Sequence, residues 1–539
     1  MAHSHFMDQK KSFIFILVPL LIAVLSIVGY VVYVNRGVIG NYFRRTQLRQ
    51  KLTPQARQCI LQKLGRAKAQ ALVESIKQTK VIPPEDLAVI QSCISDLNTN
   101  LFPPSSSNAV YQFNQGILLG TGVIIQQEPQ YCQIEQQYGS KFNWLTLSWQ
   151  RVEPQKGNWT WDQFDNWVNG YENCGQEVAV HLLSDASWAT EPVPADLAGG
   201  RHKPSMPAKN YQDYYDFVYH VASHYKGRVR RYSIENEAHA DANWGGTPEQ
   251  YMQELQTAYK AIHAADPTAI VEDAAMSHEG LGYLTTAWLY QQGKTQAAVD
   301  FANSYDAHFQ RNSQSLHAHS AADIQALVNS PGIQKLITWE NLLFQNHAYY
   351  DHMQIHNGTS WQDLQTVLDY LHTNLRAEGD DKPLDLWEGW YGWWGAPGNG
   401  FNPQIQAQDI VKQAVTAFGG QVTVYNYWLI NDFALSSEGH VGLIDNQGRP
   451  RPAATAYKVM SGKLTGATSV KKLNLGNNIW GYEFDNANKK VYVVWSTVNT
   501  PVTLPFTGSA TVTDIAGNTT SSSNIISVNS SPFFVEPGQ

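Results

Sequence analysis

The sequence has few cysteines and no excess of positive charge, and both shortages exclude classes of function. The chain has 539 residues, of which four are cysteines, and none of these shows the Cys-x-x-Cys spacing of a metal site. The formal net charge is -8, whereas proteins that bind nucleic acid need clustered lysine and arginine against the phosphates. We therefore predict no metal, no cofactor and no nucleic-acid partner.

The chain also lacks the loops that hold phosphate or calcium in other enzymes. The segment "GTGVII" at 120–125 is not the G-x-G-x-x-G motif that follows the first strand of a dinucleotide-binding open sheet. A D-x-D-x-D-G loop, which would support a calcium-dependent lyase, is missing too. These absences disfavour a doubly wound open sheet and a lyase as alternatives.

What the sequence has in excess is aromatic side chains. It contains 17 tryptophans and 27 tyrosines, more than a core needs. Tryptophan and tyrosine collect where a flat apolar ligand face is bound. The composition thus indicates an aromatic binding cleft.

The N-terminal region predicts a membrane anchor. Residues 13–34 carry no charge, and a helix of that length spans about 33 Å, enough to cross a hydrocarbon core of roughly 30 Å. The alternative is a cleaved signal peptide, but the run exceeds the usual apolar region of about 7–15 residues. We predict an N-terminal tail at 1–12, a transmembrane anchor at 13–34 and a helical stalk or linker at 35–105.

The remainder of the chain alternates between strand and helix patterns and then changes to short strands. Eight β-α units predict a (β/α)₈ barrel over residues 106–462. One of its helices has Thr247 as predicted N-cap and Pro248 at the first helical position. Residues 463–539 read as short alternating strands with glycine and asparagine turns, which predict a small C-terminal β-sandwich.

Candidate reacting groups follow from one rule of barrel enzymes, that they stand at the carboxyl ends of the strands. Glu235 and Glu237 follow the fourth predicted strand, and Glu388 follows the seventh, which we expect to end at Trp387. Paired carboxylates between aromatic walls suit glycoside hydrolysis, in which one acid protonates the leaving oxygen and the other attacks the anomeric carbon or activates water. The predicted substrate-binding residues around them are Asn236, His181, Trp188, His356, Trp390 and Trp428.

Four segments in order resemble the clan A retaining glycoside hydrolases, particularly their β-xylosidase and xylanase branches. They are "YSIENEAHADANWGG", "KPLDLWEGWYG", "YNYWLINDF" and "GLIDNQGRPRPAATAY". The resemblance covers roughly residues 110–539. It implies that Asn236 binds a sugar hydroxyl, that Glu237 is the acid/base and that Glu388 is the nucleophile.

The resemblance also decides between the two neighbouring glutamates. Glu237 matches the family's Asn-Glu pair, so Glu235 is interpreted as an ion-pair partner of Arg230 or Arg231. We further expect the pKa of Glu237 to be raised and Glu388 to remain ionised. The two carboxyl groups are expected about 5–5.5 Å apart, as in retaining enzymes.

The predicted function is that of a membrane-anchored glycoside hydrolase acting on a polysaccharide or oligosaccharide with retention of configuration. The alternative is a non-catalytic carbohydrate-binding protein of the cell surface, which would not need the glutamate pair. Basic residues follow the anchor and favour a cytoplasmic C-terminal side. Because polysaccharides lie outside the cell, we nevertheless expect a single-pass protein of the cell membrane with an extracytoplasmic catalytic domain. The oligomeric state is left open.

The cysteines of the predicted barrel give a further expectation. Cys132 and Cys174 fall on the first two barrel helices, which are neighbours. An exported domain permits a disulfide, so the two residues are expected either to pair or to remain as buried thiols.

Overall fold

The computed structural model describes Lys68 and residues 110–122, 130–199, 203–308, 318–390, 401–432, 441–476, 478–486, 489–498 and 501–537. The predicted anchor at 13–34 and, except for Lys68, the predicted stalk lie outside these residues. Within the described part, no helix combines the length and the apolar character needed to cross a membrane. The fold described below belongs to one compact unit, Val110–Gln539.

Eight parallel strands form the predicted barrel. A short strand precedes them, and the nine strands in chain order are β1 (Val110–Gln112), β2 (Leu118–Gly122), β3 (Phe142–Ser148), β4 (Glu177–Leu183), β5 (Val229–Ile234), β6 (Ile270–Glu272), β7 (Met353–Asn357), β8 (Leu384–Gly389) and β9 (Val422–Trp428). Strands β2 to β9 hydrogen-bond in two parallel runs, β2-β9-β8-β7 and β3-β4-β5-β6.

Contacts at two seams close these runs into a barrel. At one seam, parallel bridges join Glu272 to His352 and Met276 to Ile355. At the other, the backbone N–H of Lys141 donates to the carbonyl of Leu119 at 2.8 Å. The carboxyl ends of all eight strands therefore meet at one mouth.

The helices surround the barrel, and their bounds follow in chain order. They are α1 (Gln130–Gln137), α2 (Trp149–Val152), α3 (Asp162–Asn173), α4 (Tyr211–His224), α5 (Pro248–Ala265), α6 (His278–Gln291), α7 (Thr295–His308), α8 (Ala321–Val328), α9 (Pro331–Gln345), α10 (Trp361–Ala377), α11 (Pro403–Gly419) and α12 (Pro452–Leu464), with one 3₁₀ turn at His347–Tyr349. The predicted start of α5 is confirmed, because Thr247 and Gln250 form a capping box ahead of it with Pro248 at the first position.

One strand end differs from the sequence prediction and affects the site. Strand β8 continues to Gly389 and so includes Glu388, whereas we expected it to end at Trp387. The reason is a register shift between Leu386 and Gly389 opposite β9, because an extra residue in one strand re-aims the side chains beside it.

A buried ion cluster lies inside the barrel and contains Arg231. Its guanidinium contacts Glu177, donates to Asp385 at 3.0 Å and lies 3.6 Å from Glu272. Asp385 also accepts from His352 at 2.9 Å. Arg231 is therefore engaged by other carboxylates, and the predicted ion pair with Glu235 is wrong.

The C-terminal strands form one curled antiparallel sheet. They are β10 (Ser469–Lys472), β11 (Ile479–Asn486), β12 (Lys489–Ser496), β13 (Val502–Asp514), β14 (Thr519–Val528) and β15 (Phe533–Pro537). With β1, the spatial order is β1-β10-β11-β12-β15-β13-β14. One small core, which includes Ile479, Val494 and Val535, lies within the sheet itself.

The other face of this sheet packs on the barrel. The indole of Trp361 on α10 meets Trp480 and Trp495 edge-on, with ring centroids 4.7 and 5.3 Å apart. Gly419 at the end of α11 lies so close to the Tyr482 ring that a Cβ would collide with it. Barrel and sheet thus share one hydrophobic core.

The two cysteines of the barrel form a disulfide. Cys132 of α1 and Cys174, at the C-terminal cap of α3, have Cα atoms 6.0 Å apart. Of the two outcomes expected from the sequence, the bridge is therefore the one observed.

Candidate active site

Glu237 stands in a tight turn directly after β5. Glu235 and Glu237 both have left-handed backbone conformations, with φ of 68° and 46°, which residues other than glycine rarely adopt. The Glu237 N–H donates to the carbonyl of Ala274 at 2.5 Å, across to the segment after β6. Such strained residues cluster at functional sites and require support from their surroundings.

Glu388 and His356 complete a compact group with Glu237. His356 Nδ1 lies 2.8 Å from a carboxylate oxygen of Glu237 and 3.8 Å from one of Glu388. One ligand atom from each of the three residues lies within 4.8 Å of the other two. The His356 side chain is fully buried, while those of Glu237 and Glu388 are 26% and 12% exposed. A substrate can therefore reach both carboxylates but not the imidazole edge between them.

The electrostatics of this group differ from the sequence prediction. Burial raises the pKa of Glu388 to about 7, an effect that the charge of Glu237 reinforces and that of His356 opposes. Burial also disfavours ionised Glu237, but the hydrogen bond and charge of His356 outweigh it and lower the pKa of Glu237. We expected the pKa of Glu237 to be the raised one of the two. This expectation is wrong for the protein without substrate, because His356 lies closer to Glu237 than to Glu388.

His181 reaches the same cavity from β4. Its Nδ1–H donates to the backbone carbonyl of Glu235 at 3.2 Å, and its ring packs edge-on against Trp144 and Trp387. Burial lowers the pKa of His181 to about 3. The imidazole is therefore neutral, and its buried Nε2 is a free acceptor among the described residues.

Of the three predicted tryptophans, Trp390 and Trp428 are in contact, whereas Trp188 contacts a different loop. Trp428, at the end of β9, meets Trp390 edge-on with ring centroids 5.8 Å apart. The Trp390 indole is buried and also packs beside His278. Trp188 is partly exposed and donates its indole N–H to the carbonyl of Glu153 at 2.8 Å, so it ties two mouth loops together.

Glu235 has different partners from Glu237. It is 1% exposed, and its carboxylate accepts from the N–H of Ser184 at 2.6 Å. Its neighbours thus come from the segment after β4. The sequence alone linked it to the adjacent arginines because those are near in the chain.

Sequence reasoning missed His239 and Asp273. Burial lowers the pKa of His239 to about 4, although the charge of Glu237 acts against this. Burial also raises the pKa of Asp273 to about 7, and the charge of His356 opposes that shift. The signal for Asp273 was present in the segment "AIVED" at 269–273, an apolar run that ends in carboxylates. Carboxylates at the end of a strand are also what drew attention to Glu237.

The Glu237, His356 and Glu388 group is also the one set of potential metal ligands found among the described residues. It combines two carboxylate oxygens with an imidazole nitrogen, donors that suit several divalent cations. The same three groups, at these distances, are also of the residue types that transfer protons in general acid–base catalysis.

Comparisons with known proteins agree with this architecture. Residues 108–272 match the model of Glycosyl hydrolase family 10. The chain is similar in structure to a family 39 glycoside hydrolase from Bacteroides cellulosilyticus, with 14% identity, 79% of this chain and 81% of that chain covered, and a TM-score of 0.50. It is also similar to a glucosidase from Croceicoccus marinus, with 12% identity, coverage of 79% and 97%, and a TM-score of 0.52.

The two structural similarities show the barrel fold, and the family match covers the first part of the barrel. The matched range runs through β6 and so includes Glu237 but not Glu388. The predicted resemblance to glycoside hydrolases is thus matched by a family model over residues 108–272.

Proposed function

We propose that this protein hydrolyses O-glycosidic bonds of a polysaccharide or oligosaccharide by double displacement, with Glu388 as nucleophile and Glu237 as acid/base. The observation that carries the proposal is the approach of their carboxylates to within 4.8 Å. Retaining enzymes hold the pair about 5–5.5 Å apart, whereas inverting enzymes need roughly 6.5–9.5 Å to admit a water molecule.

The chemistry runs in two steps on these groups. Glu388 attacks the anomeric carbon while Glu237 gives a proton to the departing oxygen, which leaves a covalent glycosyl–Glu388 ester. Glu237, now a carboxylate, removes a proton from water as that water attacks the anomeric carbon. Release of the sugar regenerates both glutamates.

The proton must move before the first step. In the protein without substrate, the raised pKa of Glu388 favours the proton on that residue, and His356 stabilises the ionised form of Glu237. A state with protonated Glu237 and ionised Glu388 contains the same number of protons. We propose that bound substrate favours this state, with the His356 hydrogen bond passing from Glu237 to Glu388, whose carboxylate is already 3.8 Å away.

Unpartnered polar atoms around the pair support a sugar as the ligand. His181 Nε2, Asn236 Oδ1 and Trp390 Nε1 are buried and have no hydrogen-bond partner among the described residues. Buried polar atoms are costly without partners. A sugar ring offers several hydroxyl groups that donate and accept, while Trp428 at the end of β9 can face its C–H surface.

We also propose that residues 13–34 anchor the protein and that the barrel lies outside the cytoplasm. The Cys132–Cys174 bridge supports this side, because disulfides persist in oxidising compartments. The basic residues that follow the anchor favour a cytoplasmic barrel. We give more weight to the disulfide and to the location of polysaccharides outside the cell.

Substitution of the two glutamates tests the proposed roles in the full-length protein. Glu388→Ala should abolish turnover on every glycoside, since no covalent intermediate can form. Glu237→Ala should lose about 10²–10⁴-fold on substrates with poor leaving groups, but far less on activated aryl glycosides, which depart without a proton. Added azide should accelerate the second step of this variant.

Two other carboxylates provide the control for this experiment and the result that would contradict it. Glu191→Ala removes an exposed carboxylate from the loop after β4 and should keep wild-type rates on both substrate types. If Glu235→Ala showed the leaving-group dependence and Glu237→Ala did not, the acid/base would be Glu235. If neither substitution changed turnover, the catalytic assignment would be wrong.

A further inference from the structure

Two buried glutamates outside the catalytic pair interact electrostatically near the carboxyl end of β5. Glu235, in the turn after β5, is 1% exposed, and Glu254, on α5, is fully buried. Among the described residues, neither has a lysine, arginine or histidine within ion-pair distance. A buried carboxylate without a cation is costly, so the site is built to hold a proton.

Both carboxyl groups bind described residues of the segment 184–208, which connects β4 to α4; residues 200–202 of this segment lie outside the described part. Glu235 accepts from the N–H of Ser184 at 2.6 Å and is hydrogen-bonded by the Ser205 side chain. Glu254 accepts from the N–H of Ala208 at 2.8 Å and interacts with the Ser184 side chain. The pair therefore fastens this segment at its beginning and at its end.

Within the part of the chain that the structure describes, no cationic side chain forms an ion pair with either glutamate. Burial raises the pKa of Glu235 to about 7, and Asp185 adds to the shift. Burial raises the pKa of Glu254 well above its usual value, and the charge of Glu235 raises it further. The remaining titratable groups that face the pair are tyrosines of α4 and α5, namely Tyr211, Tyr214 and Tyr251.

One oxygen of the pair has no hydrogen-bond partner among the described residues. Oε2 of Glu254 and the hydroxyl of Tyr214 are both buried, and neither has a hydrogen-bond partner among the described residues. A protonated Glu254 would supply the missing donor. Two ionised carboxylates in this place would instead leave unpaired negative charge.

Glu235 is linked to Glu237 through the backbone of one turn. Its N–H donates to Leu182 at 3.0 Å, and its carbonyl accepts from Ser233 Oγ at 3.1 Å and from His181. With its side chain also tied to Ser184, Glu235 is held at both backbone and side chain. These contacts maintain the left-handed conformations of the turn from which Glu237 projects.

We propose that Glu235 and Glu254 form a proton-sharing carboxyl pair that positions Glu237 by clamping the segment 184–208 against the turn after β5. While the pair holds a proton, the clamp is closed and Glu237 is correctly placed. Loss of the last proton puts two negative charges into one buried site and loosens the segment. Glu235 is thus a positioning residue, and this proposal rests on the proposed function only through Glu237.

The sign of the pH effect follows from the raised pKa values. The folded protein binds the shared proton more tightly than the unfolded chain, whose glutamates titrate near their usual pKa of about 4.3. Stability from the pair is therefore full below the unfolded pKa values. It falls as pH rises through about 7, the folded pKa of Glu235, and then through the raised pKa of Glu254, at which the last proton leaves.

Thermal unfolding of the full-length protein tests the clamp without any substrate. Glu254→Gln and Glu235→Gln each remove one ionisable group and keep the shape of the side chain. Between pH 5 and pH 8, the wild-type Tm should fall by several degrees more than the Tm of either variant, and the double variant should add little beyond one substitution. Glu191→Gln, an exposed carboxylate of the same segment, should behave like wild type.

Kinetics then separate positioning from a purely structural role. Glu235→Ala should lower kcat by about 10-fold or more with KM within about twofold, because a misplaced acid/base slows chemistry rather than binding. Glu235→Gln should restore most of that loss below pH 6. Glu254→Gln should extend activity to higher pH than wild type.

Three results would overturn the proposal. The first is an equal fall of Tm with pH in wild type and both glutamine variants. The second is a loss of kcat in Glu235→Ala that Glu235→Gln does not restore. The third is leaving-group dependence in Glu235→Ala, which would make it the acid/base. If Glu237 and Glu388 proved non-catalytic, the Tm comparison would still decide whether the pair exists.

Discussion

Among individual side chains, His356 controls how protons are distributed over the candidate site. It is fully buried, and it lies between two carboxylates at 2.8 and 3.8 Å. Burial opposes its protonation, but the charges of Glu388 and Glu237 raise the pKa of His356 overall. Its positive charge in turn helps to lower the pKa of Glu237 and opposes the rise in the pKa of Glu388.

Replacement of His356 should therefore shift the pH dependence of activity in a known direction. In His356→Gln, loss of the cation makes both carboxylates easier to protonate, so both limbs of the kcat/KM profile should move to higher pH. The profile on an activated glycoside measures this, with His220→Gln, an exposed histidine on α4, as the control. Unmoved limbs, or a shift to lower pH, would contradict the role given to His356.

The sequence predicted which side chains gather at the mouth better than it predicted how they interact. Strand ends made Glu237, His356 and Glu388 candidates, and the family resemblance selected Glu237 over Glu235. The structure brings the three residues together. The partners of Glu235 did not follow, because Ser184 and Glu254 come from other elements. The order of the pKa values failed for a similar reason, since it depends on which carboxylate His356 contacts.

Among strands and helices, the alternation of apolar runs with amphipathic segments was sufficient to predict the barrel. It was insufficient for the position of Glu388 within β8, since the register shift after Leu386 depends on pairing with β9. It also did not define the four helices, α6 to α9, that separate β6 from β7. Local pattern does not reveal such departures because they are set by contacts between elements.

The Cys132–Cys174 bridge fastens α1 to the end of α3 and gives a test at this level. The two residues are 42 positions apart, and a closed loop of this size restricts the unfolded chain. Replacing both with alanine should lower the free energy of unfolding by about 2–4 kcal/mol. Urea unfolding of the oxidised wild type and the double variant measures this. A loss below about 0.5 kcal/mol would show that the bridge does not form or does not constrain the unfolded chain.

The barrel and the C-terminal sheet form one body with a continuous core. The sequence indicated a separate small sandwich after residue 463, but the sheet also includes β1, which precedes the barrel in the chain. Its inner face is complementary to α10 and α11, as the close approach of Tyr482 to Gly419 shows. This complementarity depends on residues far apart in the chain, so alternation within single strands could not predict it.

The central claim is that Glu388 forms a covalent bond with the sugar while Glu237 transfers protons. The most direct test uses an activated 2-fluoro derivative of the best chromogenic substrate, which forms the intermediate faster than water removes it. Intact mass should rise by one glycosyl unit, and peptide mapping should place that unit on Glu388. A label on Glu235 or Glu237, or turnover with inverted product and no label, would contradict the account.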